Sequence, residues 1–313
     1  MVDNNKIVQD FYSRLEKKGW KGKILSAKHI PELREDIVKY HEQGFLDPEF
    51  YHEYKSYFEF EPKVDINQIN SLFVISVPVP QFEVIFHWSD KKVSTLIPPT
   101  YLYGRMIIEQ VTEFLNEILK TGGYAVSYAL LPQKTLAVRC GLAEYGRNNI
   151  TYVQGSGSFH RLTTLYSDFL LDQEYDSWSE LRMMDACNEC SACVRKCPSG
   201  AISTDRFLLH AERCITYHNE HPGEIPFPTW LNPKWHNCLV GCLICQKVCP
   251  ANKSVIHWTE PGPEFSTEET KMILNETIFD ELPIEMKQKI ERYDLMNYYE
   301  LLPRNLKVLL NIS

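Results

Sequence analysis

The sequence predicts an α+β protein in three parts, and three observations carry that reading. Strands and helices interleave over residues 1–175, cysteines and prolines crowd residues 176–260, and an acidic helical stretch fills residues 261–313. The chain has 313 residues, 44% of them hydrophobic and 24% charged, enough for two compact domains and too apolar for disorder. No apolar run reaches the roughly 18 residues a membrane helix needs. The longest, at residues 72–77, is stopped by Pro78 and Pro80. The start shows no basic segment followed by an apolar one and no twin arginine, so a cytoplasmic protein without a membrane partner is expected.

The first sixty residues read as helical, since Ile7, Phe11 and Leu15 recur at helical spacing and Leu33, Ile37 and Tyr40 repeat it. Residues 72–77 read as a strand buried on both faces. Phe82, Val84, Phe86 and Trp88 alternate with polar neighbours, so a half-exposed strand follows, paired across residues 89–92 with residues 93–97. Pro98 and Pro99 end that pairing. Ile107, Ile108, Val111, Phe114, Leu115, Ile118 and Leu119 form one face of a helix capped by Gly122-Gly123, and residues 124–128 read as another strand. After Pro261-Gly262-Pro263 the chain reads as acidic and helical.

Nine of the ten cysteines lie between Cys187 and Cys249. Cys187, Cys190, Cys193 and Cys197 followed by Pro198 form C-x2-C-x2-C-x3-C-P, the run that holds [4Fe–4S] clusters in bacterial-type ferredoxins. Two-residue gaps aim three thiolates at one cube, and the three-residue gap sends the fourth toward a second. Cys242, Cys245 and Cys249 followed by Pro250 repeat the motif without its first cysteine. If each motif lends its last cysteine to the other, one cluster takes Cys187, Cys190, Cys193 and Cys249. The second takes Cys197, Cys242, Cys245 and either Cys214 or Cys238. Four thiolates also suit zinc, but zinc sites rarely use three cysteines at two-residue gaps before Cys-Pro. Two [4Fe–4S] clusters are therefore expected, with Cys140 an inert buried thiol.

The cysteine segments, with Arg213-Cys214-Ile-Thr-Tyr217 and Gly241-Cys242-Leu-Ile-Cys245-Gln246, resemble the epoxyqueuosine reductase family. The stretch from Gly141 to Asn149 resembles that family's Gly-Leu-Gly-Trp-Ile-Gly-Lys-Asn element, and Gly157-Ser158-Phe159 its following Gly-Ser segment. The likeness is convincing over residues 130–253. It implies a nitroreductase-like α/β domain holding cobalamin and a ferredoxin-like domain with two [4Fe–4S] clusters. It also favours Cys214 over Cys238 as the eighth ligand. Gly141 and Gly146 would let backbone approach a corrin ring, with Tyr145, Arg147, Asn148, Gly157, Ser158 and His160 as further cofactor contacts. The family's aspartate proton donor falls, counting back without gaps, on Ser127. The adjacent Tyr128 is then the candidate acid, as a tyrosine is thought to be in the related reductive dehalogenases.

The implied activity is a reductase that takes electrons from an external ferredoxin- or flavodoxin-type donor through the clusters to cobalamin. The net charge, 33 basic against 41 acidic residues for −8, disfavours nucleic acid and points to a small-molecule or protein-bound substrate. Two alternatives stand beside it: an electron-transfer module serving a partner such as a corrinoid protein, and a tRNA-directed epoxyqueuosine reductase with a displaced acid.

Overall fold

A computed structural model describes residues 4–66 and 68–312. Nine strands run in chain order among them: β1 (Lys21–Ser26), β2 (Ser71–Pro78), β3 (Gln81–Trp88), β4 (Lys91–Ile97), β5 (Val126–Tyr128), β6 (Glu144–Tyr145), β7 (Thr151–Tyr152), β8 (His160–Ser167) and β9 (Thr259–Phe265). The helices of the first half are α1 (Asn4–Lys18), α2 (Ile30–Glu42), α3 (Pro48–Tyr54), α4 (Gly104–Leu119) and α5 (Gln133–Arg139). Those of the second half are α6 (Ala192–Lys196), α7 (Ile215–Glu220), α8 (Ile244–Lys247), α9 (Thr267–Leu274), α10 (Ile284–Arg292) and α11 (Leu302–Leu309). None of the described helices is long and apolar enough to cross a membrane.

The chain forms two units that do not follow divisions at residues 175 and 260. The first takes the residues up to Pro78, Arg105–Cys190 and Thr204–Leu208; the second takes Val79–Gly104, Ser191–Ser203 and everything from Leu209. The β3–β4 hairpin thus belongs with the later chain, because β3 pairs in parallel with β9.

The first unit is built on an antiparallel sheet of order β1-β2-β8-β5. Helices cover both faces, which is why β2 is apolar at nearly every position. On one face Phe73 meets Phe11 of α1 edge to face at 5.4 Å, and Phe11 lies 6.2 Å from Phe114 of α4. On the other, Leu72 and Val74 pack with Leu33 of α2 and Leu136 of α5. The helical expectation for the first sixty residues fails at β1. Gly22 sits under α1, where a Cβ would come within 2.8 Å of Leu15, so long-range packing sets this segment.

The second unit holds the sheet β4-β3-β9. Ser89 and Asp90 both take positive φ, the two-residue hairpin turn that joins β3 to β4. The stretch expected to be helical from residue 261 begins instead inside β9. An edge strand tolerates its two prolines, and the register with β3 shifts beside them, between Glu83 and Ile85. Gly262 is required there, because a Cβ would stand 2.7 Å from the Glu83 carbonyl oxygen. Phe86 and Phe265 stack at 5.1 Å across the parallel pair.

Candidate iron–sulfur site and the reductase-like loop

The two cysteine motifs fold alike. In the first, Cys193 lies in α6 and Cys197 stands at its C-cap in extended backbone before Pro198. In the second, α8 carries Cys245, and Cys249 leads into a single 3-10 turn opened by Pro250. Within the second unit α6 and α8 pack against each other. Cys214 comes from elsewhere as the N-cap of α7, its sulfur making no capping hydrogen bond but lying where Thr216 and Tyr217 favour its ionised form.

The thiols around Cys242 feel one another. Burial, and after it Cys242, pushes the Cys214 thiol up to about 11. Burial also raises Cys242, where the Asn237 amide opposes the rise and Cys197 adds to it. Burial and then Cys242 raise Cys238, which is fully enclosed. Cys242 thus lies within electrostatic reach of Cys197, Cys214 and Cys238, although among the described residues no three donors are drawn together tightly enough to hold a single metal ion. Thiolates at this sequence spacing are nonetheless the donors a [4Fe–4S] cluster takes.

Asn237 organises the approach to Cys242. Its Nδ2 donates to Cys242 Sγ at 3.3 Å and to the Trp235 carbonyl at 3.1 Å. Its Oδ1 accepts from the Leu243 N–H at 3.1 Å and from Cys238 Sγ at 3.2 Å. Further from the sulfurs, α7 is tied down at its other end. Arg304 of α11 donates to the carbonyls of His218, Asn219, His221, Pro222 and Ile225 at 2.7–3.3 Å. Asn305 donates to the Asn219 and Leu239 carbonyls, both at 2.9 Å. Tyr101 donates to Glu220, the last residue of α7, and its ring lies where a Cβ on Gly241 would fall.

In the first unit, the residues matched to the reductase-like element are largely engaged in holding their own loop. Gly141 closes α5 in a Schellman turn: its N–H reaches the Val138 carbonyl, that of Leu142 reaches Ala137, and its φ is 72°. Gly146 leaves room for neighbours, since a Cβ would come within 2.5 Å of Asn148 Oδ1 and 2.6 Å of Tyr152. Asn148 donates to the Tyr152 hydroxyl at 3.0 Å and accepts from the Ile150 N–H. Tyr145 is buried with its hydroxyl 3.2 Å from Thr135. Gly157 sits in a tight turn at positive φ, and Ser158 beside it is buried.

His160 is 3% exposed, with Nε2 3.1 Å from Thr151 Oγ1 and Nδ1 3.0 Å from the Gly157 carbonyl. Burial pushes it down to about 4, so it is neutral at physiological pH. Arg147 donates to the Cys187 carbonyl at 2.6 Å while its buried Nε has no hydrogen-bond partner. Tyr128 is half-buried in β5, opposite Leu165 of β8. Burial raises its hydroxyl, while Arg161 and a hydrogen bond with Gln133 oppose the rise.

Residues 186–252 match the 4Fe-4S double cluster binding domain family. Over about half of its length the chain is similar in sequence to epoxyqueuosine reductases. The epoxyqueuosine reductase of Francisella cf. novicida is 32% identical over 150 residues, 46% of this chain and 39% of that protein. The chain thus matches well under half the length of that relative. A structure of epoxyqueuosine reductase from Bacillus subtilis superposes with a TM-score of 0.70 at 19% identity, covering 99% of this chain and 82% of that one. A crystal structure of epoxyqueuosine reductase with an epoxyqueuosine-modified tRNA stem loop gives 0.69 at 19%, with the same coverage. At that identity the likeness is one of fold. The chain therefore carries a match to a double 4Fe-4S cluster binding domain, is similar in sequence to epoxyqueuosine reductases and has a mixed α/β fold like theirs.

Sequence reasoning did not single out Asn237, Arg304, Asn305 or Tyr101. No spacing rule announces them, since each meets its partners through tertiary folding. The one available signal was an asparagine directly before an unassigned cysteine.

Proposed function

We propose that the chain is a reductase that passes electrons from an external donor through two [4Fe–4S] clusters to a cobalamin. The observation that carries this reading is the match of residues 186–252 to a double 4Fe-4S cluster binding domain, and it is supported by Cys197 and Cys214 each lying within electrostatic reach of Cys242, with Cys245 on α8. These four would hold one cluster, and Cys187, Cys190, Cys193 and Cys249 the other. Cys238 is left out, because its sulfur is committed to donating to Asn237.

Cobalamin is supported by the similarity to epoxyqueuosine reductases and by fewer residues. Gly141, Tyr145, Gly146, Asn148 and His160 have roles inside the fold. Arg147, with its unpartnered buried Nε, is the residue that fits a polar cofactor edge, and Gly157 and Ser158 flank the same loop. When bound, a corrinoid supplies a low-valent metal centre for the reduction. Tyr128 would donate the proton, its raised pKa keeping it protonated at neutral pH.

The net charge of −8 and the tyrosine beside the aspartate position support a small-molecule or protein-bound substrate. A second reading, epoxyqueuosine in tRNA, is favoured by the relative of the same fold crystallised with a tRNA stem loop.

Iron analysis tests the ligand set. The anaerobic wild type should hold about eight irons, Cys214→Ala about four, and Cys238→Ala about eight. Full iron in Cys214→Ala would overturn the assignment. Added cobalamin should give a protein-bound visible spectrum, and its absence would leave an electron-transfer module. Binding of an anticodon stem loop at low salt, lost on Tyr128→Phe or not, separates the substrates: no binding excludes tRNA.

A further inference from the structure

The contacts of Asn237 fix which way its amide points. The Leu243 N–H can only donate, so the atom facing it is the amide oxygen. The Trp235 carbonyl can only accept, so the atom facing it is the amide nitrogen. Both constraints agree, and the second amide hydrogen is then directed at Cys242 Sγ, 3.3 Å away. The oxygen that faces Leu243 also faces Cys238 Sγ at 3.2 Å. A thiolate there would set two acceptors against each other, so Cys238 must bring a proton to the contact. Cys238 is in turn held by a backbone bridge to Leu96 of β4, and the Leu239 N–H reaches the Leu96 carbonyl at 2.9 Å.

We infer that Asn237 is a positioning residue for the cluster bound by Cys242, that its N–H sets this cluster's reduction potential, and that the Cys238 thiol holds the amide in place. The inference rests on the proposal that Cys242 is a cluster ligand. An N–H donated to a ligand sulfur stabilises the more negative, reduced cluster and so raises its potential. The two clusters are then unequal by construction, the one at Cys242 being the better acceptor for the effect of this bond. Cys238 is a buried thiol that serves the site without binding iron.

The test is a potentiometric titration of the anaerobic full-length protein followed by electron paramagnetic resonance. Asn237→Leu removes the donor without adding charge; Asn237→Asp removes it and adds a negative one. One of the two potentials should fall in Asn237→Leu and fall further in Asn237→Asp, while the other stays. The cluster that moves should be the one missing from Cys242→Ala. Cys238→Ala should keep all its iron and shift the same potential slightly downward. In wild type carrying 15N-labelled asparagine, pulsed resonance should detect an asparagine nitrogen coupled to the reduced cluster, a coupling absent from Cys242→Ala. This second measurement decides the matter if the Asn237 variants lose iron. Wild-type potentials in both Asn237 variants, or no such coupling, would overturn the inference. Full iron in Cys242→Ala would instead overturn the ligand assignment beneath it.

Discussion

The loop from Gly141 to His160 and the shell around Cys242 invert what their sequences advertise. The loop is rich in glycine and polar residues of the kind that wrap cofactors, yet most of those residues serve the loop itself: a helix cap, a tight turn, a buried histidine held on both nitrogens. Around Cys242 the sequence offers little beyond cysteine spacing, yet Asn237 reaches its sulfur, and Tyr101, Arg304 and Asn305 come from distant segments to hold the far end of the helix that Cys214 begins. A short polar motif can be explained completely by local folding. A set of thiols cannot, because enclosing several of them together gains nothing unless something binds them.

The comparison is sharpest at Arg304, where the largest effect on stability is expected. One guanidinium satisfies five backbone carbonyls at and beyond the C-terminus of α7, while Cys214 begins the same helix. Burial brings its pKa down to about 10, which leaves it charged at neutral pH. Arg304→Met should cost about 4 kcal/mol, since several carbonyls lose a charged donor at once. Arg304→Lys should recover little of it, because an ammonium cannot span the same fork. Denaturant unfolding measures the loss. Chelator-driven iron release should also quicken in Arg304→Met, and an unchanged rate would detach α7 from the cluster site.

His160 tests the other region through pH. Its folded pKa of about 4 lies below the ordinary 6.5. The unfolded chain therefore binds the proton more readily between those values, and stability rises with pH across the window. The contribution is fully present above about 6.5 and is lost as pH falls toward 4. It should amount to about 3 kcal/mol in all, with about 2 kcal/mol gone by pH 5. His160→Gln should flatten the difference in urea midpoint between pH 7 and pH 5. A midpoint difference equal to wild type would mean that the histidine is not the buried neutral group its contacts describe.

These contrasts mark what the sequence could and could not say. The helical periodicity of α1 and α4, the buried run of β2 and the alternation of β3 were legible because each is a local pattern. β1 was not, since Gly22 and its neighbours become a strand only by pairing with β2 beneath α1. β9 was hidden by prolines that only an edge position admits. The iron–sulfur cysteines were readable because cluster geometry dictates their spacing. Asn237 and Arg304 were not, because their partners are backbone groups and a sulfur brought near by tertiary folding.

The smallest effects separate two glycines of one motif. At Gly141 the space around an added Cβ is open, and only its φ of 72° opposes a side chain. Gly141→Ala should cost about 1 kcal/mol, and Gly141→Asn less, since asparagine tolerates the left-handed region. At Gly146 no left-handed φ is involved; the obstacle is Asn148 Oδ1 and the Tyr152 ring, both within 2.6 Å of the added atom. Gly146→Ala should cost about 2 kcal/mol and break the bond between Asn148 and the Tyr152 hydroxyl. Gly146→Asn should be worse, the reverse of the order at Gly141. If both sites preferred asparagine to alanine, the difference drawn between a backbone requirement and a packing requirement would fail. If neither substitution at Gly146 disturbed stability, the loop would have room to spare, and its glycine would be free to face a cofactor after all.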